Sequence, residues 1–344
     1  MLRLIGILLS VLFAIATAIV TWPQFFRLEQ TFPITQVVAS RAGLVLVFAA
    51  ILVLALLLML ARPLRGFAAS IAIIALLGGG ASAAILAMRG ADAGAALPVK
   101  STSSVRVLSW NTAGEAVSAD DIAKTIVDQQ ADIVALPETT EAVGEDIALR
   151  LRDAGHPMWV HHVQFRPDVQ RGPDSWQTTV LISPALGDYS VIESSADGSS
   201  NTTSVPSAVV MPVDGNGPTV VAVHTVAPRE SDMADWSQDL RWVADQCPAG
   251  RNVILAGDFN ATLDHMANLG TAGGDLGACR DAASRTGSGG VGTWPTSVPA
   301  LVGAPIDHVM ATAQWRASGS AVLTDGAGSS DHRALVAQLE RVTP

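Results

Sequence analysis

Three stretches without a charged residue, 4–20, 42–61 and 67–88, constrain this chain more than any other feature. They are 17, 20 and 22 residues long. At about 1.5 Å of rise per residue, each as a helix approaches the roughly 30 Å of a bilayer's hydrocarbon core. The runs therefore predict three transmembrane α-helices. Pro23, Pro33 and Pro63 stand where such helices should end, and Trp22, Phe25 and Phe26 suit an interfacial belt. Two other readings share these residues: helices buried in a soluble core, and, for the first run, a cleaved signal peptide with Arg3 before it and Ala16-Thr17-Ala18 at its end. With Arg3 inside, and Arg62 and Arg65 in the short connection between the second and third runs, the third helix delivers residue 97 onward to the outer face. Arg27, Arg41 and Arg89 lie on that outer side, so only the tight Arg62/Arg65 loop tips the count.

Charge divides the chain at the same place. Residues 1–96 hold six of the 21 Lys and Arg and two of the 31 Asp and Glu, leaving the other 248 residues with a formal charge of −14. That length is enough to bury a sizeable core. With 49% hydrophobic residues and two cysteines, disorder, collagen and a disulfide-dense mini-domain are excluded. Cys247 and Cys279 both fall in the second unit, where an outward-facing domain would let them join; two free thiols are the other reading. Neither sits in a zinc-type spacing. Small residues over 90–104 read as a flexible tether, which divides the chain into an anchor at 1–89, the tether, and a folded domain at 105–344.

Beyond the tether, short β-branched runs at 105–109, 132–136, 179–182, 208–213, 219–224, 252–256 and 306–310 alternate with turn clusters, as buried strands do. Helices are predicted over 119–130, 141–154 and 231–246, the last with Met233, Trp236, Leu240 and Val243 on one stripe and Ser231 as its cap. This mixture predicts stacked sheets flanked by helices. The Gly-rich stretches 270–277 and 287–292 lack the pattern that cradles nucleotide phosphates and read as surface loops. So does 197–204, where Asn201-Thr202-Thr203 matches the glycosylation pattern no better than chance would in a Ser/Thr-rich loop.

The strands stop at polar residues. Their tips read Ser109-Trp110-Asn111, Leu136-Pro137-Glu138, Val223-His224-Thr225, Gly257-Asp258-Phe259-Asn260 and Ile306-Asp307-His308, and Ser330-Asp331-His332 opens the last apolar run. When adjacent strands present such tips at one sheet edge, the side chains converge on one cleft. Taken singly, each has a plainer explanation: an Asp or Asn after a strand forms turns, and His156, His161, His162, His265 and His308 read as core or solvated histidines. Trp294 either lines a cleft or packs.

Taken together, these tips resemble the endonuclease/exonuclease/phosphatase superfamily, which includes DNase I-like nucleases, sphingomyelinases and inositol phosphate phosphatases. The resemblance covers 105–340, with all six motifs in family order; one departure is Pro137, where the family usually carries Gln. It implies an α/β fold, a four-layer α/β/β/α sandwich of the DNase I type preceded by the three transmembrane helices, and metal-dependent phosphoester hydrolysis. By the same resemblance Glu138 is the main ligand of Mg²⁺ or Mn²⁺, with Asn111 beside it and Asp331 contributing. Asp258 orients and activates water, and Asn260 donates to the phosphate. His224 and His332 hold the phosphoryl oxygens, one also carrying a proton, and Asp307 fixes the tautomer of His332. The residue types suit the chemistry, since an anionic ester requires a hard cation on oxygen ligands, donors for its oxygens, a water activator and a leaving-group acid.

Extended nucleic acid is disfavoured as partner, because the only lysines are Lys124 in the domain and Lys100 in the tether, and the arginines are scattered. A small or lipid-linked phosphoester met at the bilayer fits better, and an anchor would raise its effective concentration. A surface-tethered nuclease, and a non-catalytic binding or scaffold protein that retains the fold, are the alternatives.

Overall fold

The computed structural model describes residues 2–94, 97–166, 168, 172–192, 201–324 and 329–342. Two residues of the expected tether, positions 197–200 of the Ser/Thr-rich loop and the last two residues of the chain lie outside them. The first part is a helical bundle of α1 (Leu2–Thr21), α2 (Pro23–Phe26), α3 (Ile34–Val38), α4 (Arg41–Leu58) and α5 (Arg65–Arg89). Three of its helices, α1, α4 and α5, are long and apolar enough to cross a membrane. Leu4, Ile7, Leu46, Leu57 and Leu77 point outward, while α5 turns Ala68, Ala72, Ala75, Gly78 and Ser82 inward. A Cβ at Gly78 would lie 2.5 Å from Thr17 and 2.9 Å from Phe48. Small residues allow the close backbone approach by which apolar helices associate in lipid.

The second part runs β1 (Ser104–Ser109), α6 (Ala119–Gln129), β2 (Ile133–Pro137), α7 (Glu141–Asp153), β3 (Trp159–Gln164), β4 (Gln177–Ile182), β5 (Tyr189–Val191), β6 (Ala208–Pro212), β7 (Thr219–His224), α8 (Met233–Asp245), β8 (Val253–Asp258), α9 (Leu263–Met266), β9 (Arg280–Asp281), α10 (Ala282–Thr286), β10 (Asp307–Ala311), β11 (Trp315–Val322) and β12 (Leu335–Arg341). Its strands form two six-stranded sheets, ordered β11-β12-β1-β2-β4-β3 and β5-β6-β7-β8-β10-β9. Strand alternation makes the layers. Val105 and Val107 of β1, Val220 and Ala222 of β7, and Ile254 and Ala256 of β8 meet in one core between the sheets. The intervening Leu108 packs under Ile122 and Ile126 of α6 and Ile147 and Leu151 of α7. Val221, Val223 and Leu255 pack under Trp236, Leu240 and Val243 of α8. The result is the four-layer α/β/β/α sandwich, and all seven predicted strands and three predicted helices are in it.

Some local expectations change. The α8 helix begins at Met233 after Asp232, with no side-chain cap, so Ser231 does not serve. Residues 288–293 are buried rather than on a surface loop, because Gly289 and Gly290 donate their N–H groups to the carbonyls of Arg89 and Gly90. The segment after α5, expected as a flexible tether, is likewise hydrogen-bonded to the domain: Asp92 donates to Gly287 O, Ala93 O accepts from Val322, and Pro98 O accepts from Arg106. Asn201 ties its side chain inward to Ser207 O. Cys247 and Cys279, left open by the sequence, form a buried disulfide.

One backbone contact places the second sheet's polar tips. Parallel β7 and β8 pair Val223 with Gly257 and His224 with Asp258. Gly257 has φ +147°, and a Cβ there would lie 2.0 Å from Val223 O. Gly257→Ala is therefore expected to destabilise the domain by more than about 2 kcal/mol, read as a fall in Tm of about 4 °C or more. An unchanged melting curve would show that the two strands can part without loss.

Candidate active site

The polar tips come from six chain segments at one edge of the sandwich. Asn111 lies just past β1 and Glu138 just past the parallel β2; His224 and Asp258 end the parallel β7 and β8. Asp307 opens β10 directly opposite Asp258, and His332 precedes β12. Hydrogen bonds inside the motifs fasten the segments together. Trp110, fully buried, donates Nε1–H to His332 O at 3.1 Å, and Ser330 Oγ donates to Asn111 O at 2.7 Å. Thr225 Oγ1 donates to Phe259 O at 2.6 Å, and Thr293 Oγ1 accepts from the N–H groups of Ile306 and Asp307.

Seven of the eight residues singled out from the sequence form one continuous set of contacts. The Asn111 amide, as oriented, bridges two carboxylates, 3.1 Å from Glu138 Oε1 and 3.1 Å from Asp258 Oδ2. Asp258 also accepts from the Asn260 backbone at 2.8 Å and its side chain at 3.2 Å. His332 Nδ1 is 2.8 Å from Asp307 Oδ2, and its Nε2 is 3.7 Å from Asp258 Oδ2. His224 Nε2 is 3.8 Å from Glu138 Oε1. The eighth, Asp331, stands at the rim, where its Oδ2 accepts from Trp294 Nε1 at 2.9 Å. Glu138 at φ +59° and Asn260 at φ +44° hold left-handed backbone that L side chains rarely adopt, as residues at functional sites often do.

Burial and charge separate the two histidines. Burial pushes His224 down to about 3, with repulsion from His332 adding to it, so this imidazole is neutral. Burial works the same way on His332, but the carboxylates of Asp307 and Asp258 outweigh it and hold the ring up to about 10. Asp258 is lifted by burial to about 7, with the His332 charge pulling it down and Asp307 pushing it further up. The cleft thus presents a neutral imidazole beside Glu138 and a charged one between two acids.

The Glu138 carboxylate suits a hard divalent cation, since it offers oxygen, while the Asn111 amide, as oriented, turns its NH2 toward Glu138 and accepts from the Ala113 N–H at Oδ1. Glu138 accepts one hydrogen bond, at Oε1, and among the described residues Oε2 accepts none. The Asp258 oxygens, in contrast, already accept from Asn111 and Asn260. Asp258, Asp307 and His332 also have ligand atoms within 4.8 Å of one another, and Asp307 Oδ1 is buried without a hydrogen-bond partner.

Sequence reasoning passed over Thr293 and did not give Trp110 or Ser330 a task. The last two stand inside quoted motifs, and that position is the available signal. His308 and His265 are buried and satisfied: His308 pairs with Asp281 and Ala261 O, and His265 with Thr262 N and Thr35 O.

The sequence pattern of the Endonuclease/Exonuclease/phosphatase family matches residues 108–332, and the chain belongs to that family. Its members hydrolyse phosphoester bonds, in general with divalent metal ions, and this protein is an enzyme of that class. Among solved structures, an endonuclease/exonuclease/phosphatase from Beutenbergia cavernae DSM 12333 is 20% identical, covers 70% of this chain and 72% of its own, and has a TM-score of 0.53. The human Nocturnin catalytic domain with bound sulfate anion is 16% identical over 71% of this chain and 97% of its own, at TM-score 0.49. D. rerio TDP2 complexed with single strand DNA product is 17% identical over 69% and 99%, at TM-score 0.48. No curated protein matches the chain.

Asp307 meets His332 at Nδ1 and leaves Nε2 facing the cleft. Asp307→Asn preserves the shape and removes the charge, so kcat should fall about 10²-fold or more while KM changes less than about threefold. Full activity in that variant would show that His332 is oriented by other contacts.

Proposed function

We propose that the protein is a membrane-anchored phosphoesterase, dependent on Mg²⁺ or Mn²⁺, that cleaves a lipid-linked phosphoester at the outer face of the bilayer. One observation carries this reading. The loops that leave the catalytic tips of β7 and β8 rest on the outer ends of the helices: Pro228 O accepts from Gln36, Asp264 meets Arg41 and Arg89, and Asn268 donates to Gln24 O at 3.0 Å. The cleft edge of the second sheet is thereby held beside the ends of the three long helices, which supports a site at the bilayer surface.

The rim supports the same substrate class. Trp294 and Leu301 are exposed on one loop that touches Asp331 at one end and, through Val302 O, Ser40 at the other. Trp22 and Phe25 are exposed in the segment between α1 and α3, at the same ends of the helices as Ser40. Three arginines are engaged within the domain rather than free for a nucleic-acid backbone: Arg106 and Arg333 donate to backbone carbonyls, and Arg150 pairs with Asp120 and Asp146. The outward orientation draws support from the Cys247–Cys279 disulfide and from Arg3, Arg62 and Arg65 on the opposite side. Arg41 and Arg89 depart from the charge rule because each serves Asp264.

Within this reading Glu138 is the main ligand of the cation, with Asn111 beside it and Asp331 contributing from the rim. A bound divalent ion supplies positive charge against the phosphoryl oxygens and lowers the barrier to attack. Asp258, fixed by Asn111 and Asn260, orients the attacking water and accepts its proton. Asn260, His224 and His332 hold the phosphoryl oxygens and stabilise charge as it develops, and Asp307 keeps Nε2 of His332 pointed at them.

The test offers full-length protein in nanodiscs a panel of phospholipids and, separately, plasmid DNA. Lipid turnover should exceed DNA nicking, stop with EDTA and return with added Mg²⁺. Asp258→Ala should lower it by about 10³-fold. DNA nicking without lipid turnover would reject the substrate class, and turnover untouched by EDTA would reject the metal.

A further inference from the structure

We propose that the helical anchor is a working part of the catalytic centre: Arg41 and Arg89 grip Asp264 and so position the loop that follows Asp258 and carries Asn260. This rests on the phosphoesterase reading of that loop and is independent of the substrate's identity.

Asp264 is buried, with its side chain 2% exposed, and takes four charge-assisted hydrogen bonds. Arg41 contributes Nε at 2.8 Å and Nη2 at 2.6 Å; Arg89 contributes Nη1 at 2.7 Å and Nη2 at 2.9 Å. Burial alone would raise the Asp264 carboxyl, but the two guanidinium groups hold it well below the usual carboxylate range. Arg41 Nη1 donates to Val20 O in the last turn of α1. One carboxylate from the catalytic domain therefore ties together the ends of all three long helices. Such a cluster is a poor device for stability alone, because well-packed apolar residues often replace buried ion pairs without loss. Its distinctive property is register: two bidentate forks fix the carboxylate in position and in angle.

That register reaches the active site through four residues. Asp264 lies in α9, directly after the loop 259–262. Asn260 within the loop sits at φ +44°, a conformation that persists only where the surroundings over-determine it. On the domain side, Thr225 Oγ1 holds Phe259 O, and His308 Nε2 lies 2.9 Å from Ala261 O. The other side of the loop is held by the anchor. His265 caps Thr262 N with Nδ1 and reaches Thr35 O with Nε2 at 3.0 Å, and its carbonyl accepts from Gln30 at 2.9 Å. Without the arginines the domain would keep a buried, unpaired carboxylate next to the loop that orients water, and α9 would shift to expose it. A displacement of about 1 Å at catalytic groups can lower rate by about 10²-fold.

The experiment measures hydrolysis of bis-p-nitrophenyl phosphate with Mg²⁺ by the full chain in detergent. Arg41→Gln, Arg89→Gln and Asp264→Asn are compared with the triple variant Arg41→Met/Arg89→Met/Asp264→Leu, whose apolar cluster needs no pairing. Per folded molecule, counted by gel filtration and circular dichroism, kcat should fall about 10-fold or more while KM stays within about twofold. The triple variant should melt near the wild type and still show the low kcat. Wild-type kcat in that folded variant would overturn the inference and leave the cluster a mere attachment. An inactive wild-type protein would instead remove the phosphoesterase reading on which it rests.

Discussion

Two carboxylates, Asp258 and Asp307, face each other across antiparallel β8 and β10, and both are buried. Burying two carboxyl groups side by side is costly unless a counter-charge lies between them. His332 supplies it, with Nδ1 on Asp307 and Nε2 toward Asp258. The rest of the site follows from satisfying this arrangement. Asn111 and Asn260 give Asp258 its remaining donors, Trp110 and Ser330 hold the His332 segment against the Asn111 segment, and Gly257 lets β7 close on β8 so that His224 joins. A core of ordinary sheet packing lies behind an edge whose chemistry is set by unequal burial of a few charges.

Much of this was legible in the sequence, for physical reasons. Strands buried on both faces write themselves as β-branched runs, so β1, β2, β4, β7, β8 and β10 were placed within a few residues. Two of the strands not predicted, β3 and β11, are of another kind. In β3, Trp159 is exposed and His161 and His162 are half-buried, and in β11 Arg316 and Gly319 break the pattern. The site residues were found because several motifs in fixed order are far less ambiguous than any Asp or His alone. What one motif does to another could not be read. That Asp331 turns to Trp294, while Asp307 and Asp258 share His332, depends on pairing between strands distant in the chain.

The contact between the two parts of the protein was invisible for the same reason. Asp264 stands 223 residues from Arg41 and 175 from Arg89, and neither local periodicity nor composition links them. Composition led instead to a free tether over 90–104 and a surface loop over 287–292. The glycines that suggested flexibility are where two backbones meet: Gly90 and Gly290 are hydrogen-bonded to each other. Arg41 and Arg89, which weaken the charge asymmetry of the helices, acquire a purpose once Asp264 is seen between them.

The most direct measurement is anomalous diffraction from crystals of the full chain soaked in Mn²⁺. A peak about 2.1 Å from a Glu138 carboxylate oxygen, adjacent to Asn111 and facing His224 and His332, is the predicted result. Density for the ion only at other acidic positions, with Glu138 free of it at saturating Mn²⁺, would contradict the proposal that the converging strand tips build a cation-assisted phosphoesterase.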